Sequence, residues 1–140
     1  MTNQPFIPRA RRVEKFEFGA IATTDVCNLE CVMCHFNGPN ATKKNTQLPV
    51  SLVRKVFDEL PAGSKVFMSS GGDLFMDPDA EAHIAYAISR GLKPMIQSHG
   101  QLYSPEWLER LLAMGVREFW RSCDTIDPVQ YAKIRRGGEP

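Results

Sequence analysis

A chain of 140 residues with 43% hydrophobic content, 24% charged residues and a formal net charge of +1 has the composition of a soluble globular protein built on one core. With no basic block behind that charge, neither nucleic-acid binding by counterion release nor anchoring on an anionic membrane is favoured. The opening MTNQPFIPRARRVEKFEFG lacks the apolar run of a signal peptide, and no segment approaches the ~18 to 20 apolar residues of a spanning helix, so a cytoplasmic protein is expected, with its thiols reduced.

Residues 1–14 read as a polar extension, and residues 15–140 as one domain with a repeating order. KFEFGAIATT (Lys15 to Thr24) alternates like a strand and runs into a loop holding three cysteines. NGPNATKKNTQLP reads as an exposed loop. VSLVRKVFDELP then places Leu52, Val53, Val56, Phe57 and Leu60 at helical spacing, entered at Pro49 and closed by Pro61 and Gly63. SKVFMSS is a second strand, ended by Gly71, Gly72 and Asp73. A second helix follows, with Asp77 as its expected cap, Pro78 in its first turn and Gly91 at its exit. KPMIQS is a third strand. SPEWLERLLAMGV repeats the helix grammar, with Ser104 as cap, Pro105, closing Gly115 and a mainly core-facing set of Trp107, Leu108, Leu111, Leu112 and Met114. VREFWRS is a fourth strand, and DPVQYAKIRRGG begins a fourth helix.

Such a βαβαβαβα order with short connections predicts a parallel sheet with helices outside it, open or curled into a barrel. Cys27 to Cys34, Gly71 to Asp73, Ser98 to Gly100 and Ser122 to Asp124 each follow a strand. In parallel α/β folds the carboxyl ends of the strands carry ligands and chemistry, so all four motifs are expected on one rim.

The stretch TTDVCNLECVMCHFNG holds Cys27, Cys31 and Cys34, three of the four cysteines of the chain. A structural zinc site wants four ligands, and a simple electron-carrying four-iron cluster wants four cysteines. His35 adjoins Cys34 too closely to share an ion with it, His83 reads as a helix-face residue, and His99 lies on another loop. Cys123 reads as a small, largely buried residue at a strand end. The spacing C-x-x-x-C-x-x-C therefore leaves one corner of a four-iron cluster open for a substrate or cofactor. The bland alternative is three free thiols, which proteins generally avoid exposing.

Cys27-Asn28-Leu29-Glu30-Cys31-Val32-Met33-Cys34, Gly71-Gly72-Asp73, Ser122 and the YAKIRRGG segment together resemble a radical S-adenosylmethionine (radical SAM) protein. Their order is similar to that in the peptide- and sulfatase-maturing, SPASM-type branch, many of whose members carry a further cysteine-rich domain. The resemblance implies a partial (β/α) TIM-like barrel of about four βα units, truncated relative to the six-unit barrel of the family. It implies that Cys27, Cys31 and Cys34 hold a [4Fe-4S] cluster and that S-adenosyl-L-methionine (SAM) chelates the fourth iron. Reduction then splits SAM to give a 5′-deoxyadenosyl radical, which abstracts hydrogen from a substrate, with a ferredoxin- or flavodoxin-like protein as electron donor.

The remaining residues take implied roles around SAM. Gly71 and Gly72 let backbone approach its methionine end, and Asp73 accepts from its ammonium, although the family usually has Gly-Gly-Glu-Pro where this chain has Gly-Gly-Asp-Leu. Ser98 and Ser122 offer hydroxyls to its ribose or carboxylate, and Arg135 offers a cation to that carboxylate. Met33 stands where an aromatic residue is common; with Phe36 it packs near the adenine or covers the cluster. His99 lines a substrate pocket or is an ordinary loop histidine. No side chain is assigned as catalytic, and the substrate, peptide or small molecule, is not specified. Two other classes stay open: a non-catalytic iron–sulfur or redox protein, including an inactive fragment of such an enzyme, and a zinc-binding or interaction domain.

Overall fold

The structure, a computed structural model, describes residues 18–41, 45–68 and 71–138. The extension over 1–14, the first residues of strand one, the end of strand two at Ser69 and Ser70, and the final two residues lie outside these. Four strands, β1 (Phe18–Ile21), β2 (Lys65–Met68), β3 (Lys93–Ser98) and β4 (Glu118–Arg121), alternate with four helices, α1 (Val50–Asp58), α2 (Ala80–Ser89), α3 (Pro105–Met114) and α4 (Pro128–Ile134). The strands pair in sequential order β1-β2-β3-β4, all parallel. An order that never reverses leaves no switch point, so every right-handed crossover lays its helix on the same face. The result is a partial (β/α) barrel, as expected from the sequence.

The covered face of the sheet presents Ile21, Val66, Met68 and Ile96 to Val53 and Phe57 of α1, Ile84 and Ala87 of α2 and Leu111 of α3, all buried in one cluster. Each large side chain in it contributes on the order of 1.5–3 kcal/mol of transfer free energy. The opposite face carries a row of aromatic rings, with Phe18 and Phe67 centroids 6.0 Å apart and Phe67 and Trp120 6.0 Å apart. Phe18 and Trp120 are both half exposed.

Helix punctuation follows the sequence closely at α3, where Ser104 Oγ accepts from Trp107 N–H at 3.1 Å and Gly115 closes at φ +109°. At α2 it differs. The helix begins at Ala80 after Asp79, and Asp77 caps a tight turn before it, its Oδ1 accepting from Asp79 N–H at 2.9 Å. Asp77 itself is extended, at φ −87° and ψ 114°, because it still ends the preceding 3₁₀ turn over Leu74–Met76. Of the apolar residues on α1, Val53 and Phe57 are buried, whereas Leu52 and Val56 are 43% and 40% exposed, because one helix face cannot turn adjacent positions inward together. On α3, Leu111 is buried and Trp107 and Met114 pack against the core, but Leu112 is exposed. No helix among the described residues is long and apolar enough to cross a membrane.

Candidate cofactor site

The loops at the carboxyl ends of the four strands meet around a cavity of about 360 Å³, within the usual range for small-molecule sites. Every residue expected from the sequence lines it: Cys27, Cys31, Met33, Cys34 and Phe36 from the first loop, Gly71, Gly72 and Asp73 from the second, Ser98 from the third, Ser122 from the fourth, and Arg135 from the end of α4. The first loop is built from short turns. Cys34 N–H donates to Cys31 O at 3.0 Å and Gly38 N–H to Cys34 O at 2.9 Å. Backbone N–H groups also reach the thiols, Leu29 to Cys27 Sγ at 3.4 Å and Asn37 to Cys34 Sγ at 3.3 Å. N–H groups aimed at sulfur stabilise thiolates, the form a metal requires.

Two features of this loop escaped sequence reasoning. Asn37, in a stretch expected to be exposed, is buried, and its side-chain amide donates to Asp25 O at 3.0 Å and Gly71 O at 3.2 Å. It ties the cysteine loop to the glycine loop 34 residues away, and a lone Asn in a Gly/Pro-rich stretch gives no sign of such a long-range bond. The second is a clamp from the end of α4: Glu30 N–H donates to Arg136 O and Val32 N–H to Ile134 O, both at 2.9 Å. Arg135, between them, donates from Nε to Asp124 Oδ2 at 2.6 Å and points Nη1 at Cys31 Sγ, 3.9 Å away. Burial pushes the Cys31 thiol above its ordinary value, and the Arg135 guanidinium partly offsets that. Burial likewise raises Cys27, with the Leu29 N–H opposing.

At Gly71 and Gly72 the missing side chains are needed by the protein itself. A Cβ on Gly72 would sit 1.7 Å from Val26 O, and one on Gly71 would sit 3.0 Å from the Phe36 ring. The close approach lets Gly72 N–H reach Thr24 O at 3.1 Å and Asp73 N–H reach Val26 O at 2.8 Å. Asp73, 2% exposed, is a hub of the rim. Its Oδ1 accepts from Phe75 N–H at 3.0 Å, and its Oδ2 accepts from Ser98 Oγ at 2.7 Å and from His99 N–H at 3.0 Å. Both oxygens of the acid expected to meet an ammonium are thus engaged by protein donors, and Ser98, expected to offer its hydroxyl to a ligand, spends it on Asp73. Ser122 Oγ accepts from Gln97 Nε2 at 3.2 Å. Met33 and Phe36 are 55% and 44% exposed. Cys123, expected to be largely buried, is exposed: β4 ends at Arg121, so this residue lies past the sheet, its Sγ 3.3 Å from Thr125 O and outside the cavity lining.

His99 lines the cavity, and its ring is buried. Its Nδ1 accepts from Gln101 N–H at 3.1 Å, which requires a lone pair there and places the proton on Nε2, 2.9 Å from Asn28 Oδ1 and 3.2 Å from Asp73 Oδ2. Burial holds the imidazole below its ordinary 6.5, with the Asp73 carboxylate opposing. A depressed folded value means that the unfolded chain takes up the proton first. The contribution of neutral His99 is therefore complete above about pH 6.5 and is lost as pH falls toward the folded value. The urea midpoint of the protein is expected to drop between pH 7 and pH 5.5, and to drop less in His99→Gln; equal slopes in the two proteins would refute the neutral assignment.

The chemistry of this donor set suits an iron–sulfur cluster with an open corner: three thiols in the wall, no fourth cysteine among the described residues that line the cavity, and free volume beside them. Such a rim on a sequentially wound parallel sheet defines a partial (β/α) barrel with a candidate cofactor cavity at the carboxyl ends of its strands. Residues 21–140 match the model of the radical SAM superfamily, and the chain belongs to that superfamily. It is 27% identical over 128 residues to a probable GTP 3′,8-cyclase of Methanococcus maripaludis, covering 91% of this chain and 42% of the relative. It is 28% identical over 113 residues to an AdoMet-dependent heme synthase of Nitratidesulfovibrio vulgaris, covering 80% of this chain and 30% of that protein. An Fe-coproporphyrin III synthase of Methanosarcina barkeri is 31% identical over 101 residues, or 71% of this chain and 25% of the relative. The chain thus spans less than half the length of these relatives. In fold it is similar to BtrN, in a crystal structure with AdoMet and 2-DOIA, with a TM-score of 0.66 and 14% identity over 76% of this chain and 45% of that one.

Proposed function

We propose that Cys27, Cys31 and Cys34 hold three irons of a [4Fe-4S] cluster, that SAM binds beside it in the same cavity, and that the chain is the cluster- and SAM-binding part of a radical SAM enzyme. The observation that carries this reading is the convergence of eleven residues from five separate segments on one cavity with three thiols in its wall. When bound, the pair of cofactors supplies reductive carbon–sulfur cleavage and hydrogen abstraction from a substrate. The chain's own residues do the rest. Asn37 and Gly72 hold the cysteine loop against the glycine loop, and Asp73 fixes Ser98 and His99 on the rim. Arg135 balances the negative charge of the thiolates, Ser122 and Gln97 present polar groups to the ligand, and Met33 and Phe36 cover it from water.

The substrate proposed is a small molecule, taken up by the complete enzyme. The names of the relatives, a GTP cyclase and porphyrin-modifying synthases, support this over a peptide. The SPASM-type branch rests on motif spacing alone. A ferredoxin- or flavodoxin-like donor is the implied source of the electron. The test is anaerobic reconstitution with iron and sulfide, then electron paramagnetic resonance of the reduced protein with and without SAM. A four-iron signal that changes on adding SAM is expected, with Cys31→Ala forming no such cluster. A signal indifferent to SAM favours an electron carrier, and no cluster at all overturns the reading.

A further inference from the structure

Outside that cavity, at the far end of the 3₁₀ turn from Asp73, Asp77, Asp79 and His83 converge, one ligand atom from each lying within 4.8 Å of the others. Asp77 and His83 are 5% and 1% exposed. Their backbone needs are met, since Asp79 N–H donates to Asp77 Oδ1 at 2.9 Å and His83 N–H to Asp79 O at 2.9 Å. Their side chains are left over: Asp77 Oδ2 and both ring nitrogens of His83 have no hydrogen-bond partner. Buried polar atoms almost always find one, and two of these three, His83 Nε2 and Asp77 Oδ2, face each other and call for a common explanation.

The spacing supplies it. His83 Nε2 and Asp77 Oδ2 are 3.5 Å apart, beyond the usual hydrogen-bond range. Two ligands at about 2.0–2.2 Å from one ion, at a tetrahedral angle, stand roughly 3.4 Å apart. Asp79 and His83 are four residues apart, the offset that puts two side chains on one helix face. The Asp79 carboxylate makes no capping bond and is exposed, so it can swing onto an ion and leaves the site open to water on that side.

We propose that Asp77, Asp79 and His83 form a mononuclear divalent-cation site, with two carboxylates and one imidazole, for a first-row ion of the Mn²⁺ or Zn²⁺ type. Oxygen and imidazole donors suit such ions, whereas the thiolates of the cavity select iron–sulfur. The ion ties the start of α2 to the turn that begins at Asp73, and the site does not depend on the binding of SAM.

The test uses the reconstituted chain, its cysteines occupied by the cluster, titrated with Mn²⁺ while the electron paramagnetic resonance signal of free aqueous Mn²⁺ is followed. One Mn²⁺ bound per chain is expected, displaced by Zn²⁺, with affinity reduced at least about 10-fold in Asp79→Asn and in His83→Gln. Asn is as good a residue before a helix as Asp, so Asp79→Asn should keep the fold and decides alone if His83→Gln does not. An undiminished free Mn²⁺ signal at millimolar ion, or binding by Asp79→Asn equal to that of the parent, overturns the site.

Discussion

Gly72→Ala is expected to yield protein that takes up almost no iron on reconstitution. The added methyl would stand 1.7 Å from Val26 O, and the obstacle is backbone at the start of the cysteine loop, which cannot rotate aside as a side chain can. To make room the loop must withdraw, breaking the bonds from Gly72 N–H to Thr24 O and from Asp73 N–H to Val26 O. Overpacking costs about 1–3 kcal/mol where neighbours are side chains, and two broken backbone bonds in a closed site add about 1 kcal/mol or more each. Gly63→Ala provides the contrast. Gly63 has φ +88° with nothing within 4 Å of a new Cβ, so strain alone, about 1–2 kcal/mol, is expected there, with normal iron uptake. Iron per chain and visible absorbance after reconstitution measure both; normal loading of Gly72→Ala would show that the two loops do not close on each other.

Asp73→Asn is expected to destabilise the apoprotein by about 2–4 kcal/mol and to weaken SAM binding through misplacement of the rim. One carboxylate oxygen serves the N–H of Phe75 while the other serves Ser98 Oγ and His99 N–H, all in a buried setting. An amide keeps one acceptor and turns the other into a donor, which in either orientation faces a backbone N–H, that of Phe75 or that of His99. Urea denaturation of the apoprotein gives the stability loss without any cofactor. A ligand contact by Asp73 alone predicts weak SAM binding with unchanged stability. The hub predicts that both fall together, and that Ser98→Ala shows a smaller loss, because it removes only one of the donors.

What could be read in the sequence was the chemistry that lives within a few residues. The C-x-x-x-C-x-x-C spacing, the Ser104-Pro105 start and Gly115 end of α3, and the placement of Gly71 to Asp73 after a strand are all local; the structure keeps the α3 caps and brings the cysteines and Gly71 to Asp73 to one rim. What could not be read was pairing across distance. Nothing near Asn37 announces a bond to Gly71 O, and nothing near Glu30 announces Arg136. Asp73 was legible as an acid beside the cysteines, but its partners Ser98 and His99 lie on the next strand and loop, so its bonds to protein could not be read from its neighbours in sequence. Asp77 shows the limit at short range: Asp-Pro-Asp offers two caps, and the 3₁₀ turn behind the first one selects the second for the helix. Cys123 was misplaced because β4 is shorter than its apolar pattern and leaves that thiol in solvent.

The clamp between the cysteine loop and the end of α4 also orders events in time. Cys31 and Arg135 are separated by 104 positions, and at about 5–20 residues per second the ribosome adds the later one roughly 5–20 s after the earlier. Until then Glu30 and Val32 have no carbonyls from α4 to meet, and the loop has no lid on that side. The cysteines are therefore made early and seated late. Iron delivered before α4 is made would find three thiols on a loose loop, whereas iron delivered afterwards would find them held by that helix. A chain interrupted before Ile134 lacks the two carbonyls that fasten the cysteine loop.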